Sequence, residues 1–286
     1  MASRGETTRP HLTRTTLNLT QWGLELITWK VATQNPPILL IPGHFCPRQF
    51  WLPTHRNGFA DALATLGFQP FVLAPTTKRT YRLSRKTSDW AFRIVPSALN
   101  FIAEQSGMSP HALGYSAGGA YLLAAQALLT SPAPCRSMCL IGTQLESAQP
   151  NETRFAQGLL GTLGRLSIQL NGSWLGYPQS HNTAAELSEY VDAKAQSATK
   201  GPLAALMKPN PLEIVTPLLS LSSDADTVAP PHGCRELFQR INAPIKNFEI
   251  LRSKDEDHPI HHHSYFSSRH QAGLLERLNA WMSAAR

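Results

Sequence analysis

Several things are scarce in this sequence, and each scarcity removes a class of function. No apolar run is long enough to cross a bilayer. The longest nearly apolar stretch, residues 120–129, is interrupted by Gln126, whereas a spanning helix needs about twenty apolar residues. The amino-terminal residues Met-Ala-Ser-Arg-Gly-Glu-Thr-Thr-Arg-Pro-His hold no apolar segment resembling a secretion signal, so a cytoplasmic location is expected. Cysteine is rare. Cys46, Cys135, Cys139 and Cys234 form no C-x-x-C pair, and Cys135 and Cys139, in or beside an apolar run, are expected to be buried, reduced thiols. No internal repeat or low-complexity segment is present.

Charge is also modest, at 16% of residues, with a formal net charge of +7. Its densest piece is Lys78-Arg79-Thr80-Tyr81-Arg82-Leu83-Ser84-Arg85-Lys86. Such a run would suit phosphates or an anionic membrane surface. No nucleic-acid motif accompanies it and the remaining positive charge is dispersed, so a solvated loop is expected and nucleic acid is not expected as a partner.

What is present describes a soluble globular chain. Its 286 residues, 42% of them hydrophobic, suffice for a large core in one or two domains. Residues 17–20 and 24–31 alternate with period two and read as two antiparallel strands around Gln21-Trp22-Gly23. Pro37-Ile38-Leu39-Leu40-Ile41 is instead continuously apolar, the mark of a strand buried on both faces of a parallel sheet. A helix over 58–66, a strand over 68–74 and a helix from Trp90 to about Gln105 follow. Ser88-Asp89 is placed to cap the last of these and Pro96 to kink it. Strands ending at Tyr115 and covering 137–141 continue the alternation. It resumes with strands at 217–223 and 246–251, a helix over 233–241 and a final helix over 268–283. The pattern predicts an α/β fold with a doubly wound, mainly parallel sheet. Between residues 145 and 215 no strand is evident, and a helical cap inserted over the sheet edge is expected there. The predicted organisation is a tail at 1–16, a core at 17–144 and 216–286, and the cap at 145–215.

The chemistry centres on Gly114-Tyr115-Ser116-Ala117-Gly118. This is a G-x-S-x-G pattern with an apolar strand before it and an Ala/Leu-rich helix after it. A serine on so tight a strand-to-helix turn is forced into a strained backbone that exposes its hydroxyl, and the flanking glycines admit close backbone approach. A serine nucleophile needs a base, and the base needs an orienting acid. Asp226 is the expected acid, two residues deeper in its loop than the alternative Asp224. For the base, His258, His261, His262, His263 and His270 all fall at or after the last strand. His263, directly before Ser-Tyr-Phe and the final helix, is the expected base. His258, nearest the strand, and His262, one residue off in register, are the alternatives. Oxyanion donors are expected from the backbone of Ala117 and of His44, with Phe45 the alternative for the second. Phe45 and Tyr115 are expected to contact substrate. The histidine cluster with Asp255, Glu256 and Asp257 does not read as a metal site, because ligands adjacent in sequence converge poorly on one ion and no H-E-x-x-H is present. No cofactor is expected.

Taken together, these motifs resemble the α/β-hydrolase superfamily from about residue 20 onward, nearer its lipase and esterase branches than its peptidases. The chain order Ser, Asp, His is the one that superfamily uses. Gly43-His44 followed by Trp51 is similar to the oxyanion loop and later Trp of acid-lipase-like members, although Pro42 stands where their first His would be. Ser88-Asp-Trp-Ala-Phe-Arg-Ile-Val-Pro-Ser-Ala is similar to their helix before the nucleophile strand. Asp226-Thr-Val-Ala and His263-Ser-Tyr-Phe are similar in kind to their acid and base segments. The resemblance implies hydrolysis of small carboxylic esters with an apolar acyl group through an acyl-enzyme. A thioesterase or acyltransferase using the same triad, or a noncatalytic binding module on the same fold, are the other readings.

Overall fold

The computed structural model describes residues 11–13, 15, 17, 19, 22–30, 35–43, 58–75, 87–145, 206, 210–252 and 259–285. The basic run 78–86 and residues 146–205 of the expected cap lie outside them. Eight strands form one sheet: β1 (His11–Thr13), β2 (Leu24–Lys30), β3 (Pro37–Ile41), β4 (Gln69–Pro75), β5 (His111–Tyr115), β6 (Ser137–Ile141), β8 (Leu218–Ser223) and β10 (Lys246–Leu251). They lie in the order β1-β2-β4-β3-β5-β6-β8-β10. β2 is antiparallel to both of its neighbours, and every pairing from β4 to β10 is parallel. A separate parallel pair joins β7 (Leu212–Glu213) to β9 (Ile241–Asn242).

The central parallel strands β3, β5 and β6 are buried along their whole length because helices cover both faces. Strand periodicity divides β3 between them. Leu39 and Ile41 face the core that contains α2 (Val95–Ser106) and α3 (Ala117–Ala127). Ile38 and Leu40 face the core formed with α1 (Phe59–Thr65) and α5 (Gln271–Ala284). A further helix, α4 (Pro231–Arg240), follows β8. Leu206, Leu212 and Ile214, within the stretch assigned to the cap, are buried in the first of these cores.

Two local readings of the sequence are corrected. The strand paired with β2 is His11–Thr13, not 17–20. Leu17 and Leu19 lie in a turning connection held by Leu19 N–H to the Leu17 carbonyl (2.7 Å) and Trp22 N–H to the Leu19 carbonyl (2.9 Å). Leu19 is buried at 1% exposure, a gain of about 1.5–3 kcal/mol for such a side chain. That favours a tucked anchor over a half-exposed strand. Asp89 does not cap a helix starting at Trp90, because the helical backbone already runs through Thr87–Asp89. The effect of Pro96 falls just upstream of it. Trp90–Ile94 forms a π-turn in which Val95 N–H bonds the carbonyl of Trp90, five residues back. A proline ring crowds the carbonyl four residues earlier, here that of Phe92, and a widened turn relieves the clash.

At the opposite end of the sheet from the Ser116 turn, His111 is buried with Nδ1 2.7 Å from Ser137 Oγ. Burial, helped by the nearby Arg136 charge, lowers its pKa from 6.5 to about 4. The folded state therefore excludes a proton that the unfolded chain takes up as pH falls below 6.5. The resulting stability is fully present above pH 6.5 and is lost between there and pH 4. The loss is on the order of 3 kcal/mol. In urea unfolding from pH 7.5 to 4, His111→Gln is expected to show a shallower loss of stability than the wild type. Parallel curves would remove His111 from the account.

Candidate active site

The sheet reverses its winding at β3 and β5, since the chain passes from β3 to β4 on one side and then to β5 on the other. Crevices at the carboxyl ends of strands bordering such a point are where α/β sheets bind ligands. Ser116 follows β5 there, and Pro42-Gly43 follows β3. Ser116 has φ 54° and ψ −122°, the only positive φ of a non-glycine residue among the described residues. Its carbonyl accepts Gly119 N–H at 3.0 Å and the Thr143 hydroxyl at 3.2 Å, and its own N–H donates to Ile141 at 2.9 Å. The turn is therefore held from three sides. The flanking glycines are needed for space. A Cβ on Gly114 would lie 2.5 Å from Gly119 Cα, and one on Gly118 would collide with the carbonyls of Ile41 and Pro42.

Asp226, in the loop after β8, is 1% exposed. Its Oδ1 accepts the backbone N–H groups of Val228 (2.9 Å) and Ala229 (2.8 Å). Its Oδ2 accepts Nδ1–H of His262 at 2.8 Å and the Tyr265 hydroxyl at 3.0 Å. Across the ring, His262 Nε2 lies 3.0 Å from Ser116 Oγ. With Nδ1–H committed to the carboxylate, Nε2 is the acceptor and the serine hydroxyl donates. One continuous relay results.

The histidine in that relay is His262, where the sequence reading put His263. His261 is exposed and extended, with its Nδ1 3.1 Å from the carbonyl of Ala225. A 3₁₀ turn then runs over His262–Ser264. Such a turn has about three residues per revolution, so residues i and i+3 share a face. His262 and Tyr265 accordingly both reach Asp226. Ile260 and His262 are buried on either side of His261, but the sequence offered no signal that separated His262 from its neighbours. The side chain of His263 and the whole of His258 lie outside the described residues.

Tyr115 is also corrected. It was expected to contact substrate, yet its ring is 1% exposed and packs against His262 with centroids 5.2 Å apart. Its hydroxyl donates to the carbonyl of His262 at 2.6 Å. The residue before the serine thus ties β5 to the histidine loop. Sequence reasoning missed Tyr265 altogether, although the Ser-Tyr-Phe segment that contains it had been singled out. Ala117 begins α3, beside Ser116. His44 and Phe45 lie outside the described residues, but Gly43 just before them is in close contact, since a Cβ there would be 3.0 Å from Ser116 Cβ.

Among the described residues no group of His, Cys, Asp or Glu is placed to hold a metal ion, and no helix is long and apolar enough to cross a membrane. Cys139 and Cys234 are buried and Cys135 is half-buried rather than fully so. All three are free thiols whose pKa values burial raises.

Sheet order, strained serine turn and relay together are those of an α/β-hydrolase fold. No family model and no curated protein matches the chain. Solved structures do. A candidate lipase from Acinetobacter baumannii AYE aligns with TM-score 0.63 at 15% identity, covering 96% of this chain and 92% of that one. A soluble variant of monoglyceride lipase from Saccharomyces cerevisiae aligns at 0.62 and 13%, covering 99% and 98%. A bromoperoxidase from Bacillus anthracis aligns at 0.56 and 15%, covering 95% and 100%. At these identities the likeness establishes the fold alone: this chain has the α/β-hydrolase fold.

Proposed function

We propose that the protein is a serine hydrolase that cleaves small carboxylic esters, with Ser116 as nucleophile, His262 as base and Asp226 as the orienting acid. The observation that carries the reading is the unbroken relay from Ser116 Oγ through His262 to Asp226 Oδ2. A lipase and a monoglyceride lipase among its structural neighbours point the same way, alongside a bromoperoxidase.

In this mechanism Ser116 Oγ attacks the ester carbonyl while Nε2 of His262 takes its proton. The carboxylate of Asp226 holds the ring in the required tautomer and stabilises the imidazolium that forms. The tetrahedral oxyanion is met by the Ala117 N–H at the positive end of α3 and by a second backbone N–H from the loop after β3, assigned to His44. The imidazolium then protonates the departing alcohol. Water activated by the same histidine releases the acid and restores Ser116.

A fluorophosphonate probe is expected to label the protein once, with the added mass on the peptide that contains Ser116. Turnover of short p-nitrophenyl esters should disappear in step with labelling. Absence of labelling in folded protein would favour a binding module and sink the hydrolase reading. Comparison of acyl-coenzyme A with simple esters decides between thioester and oxygen-ester substrates, and the oxygen ester is expected to react faster.

A further inference from the structure

We propose that Tyr265 is a positioning residue that tempers the strength of His262 as a base, by placing a second donor on the one carboxylate oxygen that His262 also uses. The inference rests on the serine-hydrolase reading of the site.

The two oxygens of Asp226 have different kinds of partner. Oδ1 is taken up by the backbone of its own loop, at Val228 and Ala229. Oδ2 is shared between two side chains from the segment before α5, the His262 ring at 2.8 Å and the Tyr265 hydroxyl at 3.0 Å. Each donor neutralises part of the carboxylate charge, so whatever the phenol takes is withdrawn from the attraction between Asp226 and the imidazolium. A relay with Tyr265 holds a weaker base than the same relay without it.

Tyr265 is suited to this work. It is 1% exposed, and its ring meets Tyr115 edge to face at 6.3 Å. Burial, reinforced by the adjacent Asp226 charge, holds its pKa well above the ordinary tyrosine value, so the hydroxyl remains a donor across the range in which ester hydrolysis is measured. Among the described residues, the other groups around the carboxylate leave this role to the phenol. Cys234, from α4, has its thiol pushed up to about 12 by burial and stays neutral. Tyr115, from β5, spends its hydroxyl on the carbonyl of His262. Asp224 and His261 lie at the surface.

The test reads the titration of His262 without requiring turnover. The Cε1–H resonance of His262, assigned by its absence in His262→Asn, is followed against pH in the wild type and in Tyr265→Phe. The expected result is an upward shift of about half to one pH unit in the variant. The acid limb of kcat/KM for a p-nitrophenyl ester should move with it, lowering the rate on that limb about threefold to tenfold. Site-specific 3-fluorotyrosine at position 265, a more acidic phenol and a stronger donor, should move the titration the other way, and it decides alone if Tyr265→Phe does not fold. A His262 titration unmoved by these changes, or moved in the same sense by both, overturns the proposal. A titration that shifts as expected in a protein that cleaves no ester would sink the hydrolase reading, and with it the catalytic meaning of the tempering, while the coupling of Tyr265 to His262 through Asp226 would hold.

Discussion

Replacing Ser116 by alanine is expected to lower kcat/KM for a p-nitrophenyl ester by about a million-fold while the protein stays folded. That factor corresponds to roughly 8 kcal/mol of transition-state stabilisation. The residual rate should still exceed that of free solution, because the oxyanion donors and the substrate pocket survive. The fold should survive because the serine hydroxyl serves the relay and not the core, and alanine keeps the Cβ that its surroundings already accommodate. Ser116→Gly separates the two roles of the position. It should be equally inactive but more stable than Ser116→Ala by about 1 kcal/mol, since glycine tolerates φ 54° where a side chain is strained. Chemical denaturation and ester kinetics on the same preparations check both points. An alanine variant that retained most of its activity would end the case for Ser116.

The second large effect divides two adjacent histidines. His262→Asn is expected to cost about 10⁵-fold in kcat, because the serine loses the group that accepts its proton. His263→Asn should stay within a few-fold of the wild type. The contrast is sharp because His262 Nε2 stands 3.0 Å from Ser116 Oγ and Nδ1 stands 2.8 Å from Asp226 Oδ2. Fluorophosphonate labelling rates should follow the same order as kcat. The reverse ranking would restore His263 and overturn the relay as drawn.

Much of this architecture can be read from the chain, and the failures have physical causes. The strands Pro37–Ile41, Ser137–Ile141 and Lys246–Leu251 are legible as apolar or alternating runs bounded by prolines, glycines and polar turns. The serine turn is legible because it combines a pattern with a strand before it and a helix after it. What escaped notice depends on contacts between distant residues. Leu17 and Leu19 alternate like a strand, but alternation cannot reveal that an earlier segment, His11–Thr13, takes the edge of β2. Five histidines near one strand are chemically equivalent on paper, and only the start of a three-residue turn distinguishes His262. Tyr115, next to Ser116, was expected to contact substrate. Strand alternation instead sends its ring into the core beneath the histidine loop, where only the folded chain shows what it meets.

That tyrosine has a consequence for the history of the molecule during its synthesis. The hydrogen bond from Tyr115 to His262 joins residues 147 positions apart, and Gln271 reaches the Gly58 carbonyl across 213. Ser116 and strand β5 are synthesised well before His262 and Tyr265. A nascent chain can thus complete most of its sheet with Ser116 in place and still be chemically silent. Reactivity toward a fluorophosphonate would begin only when the segment that carries His262 folds back onto β5, making the probe a timer for that step.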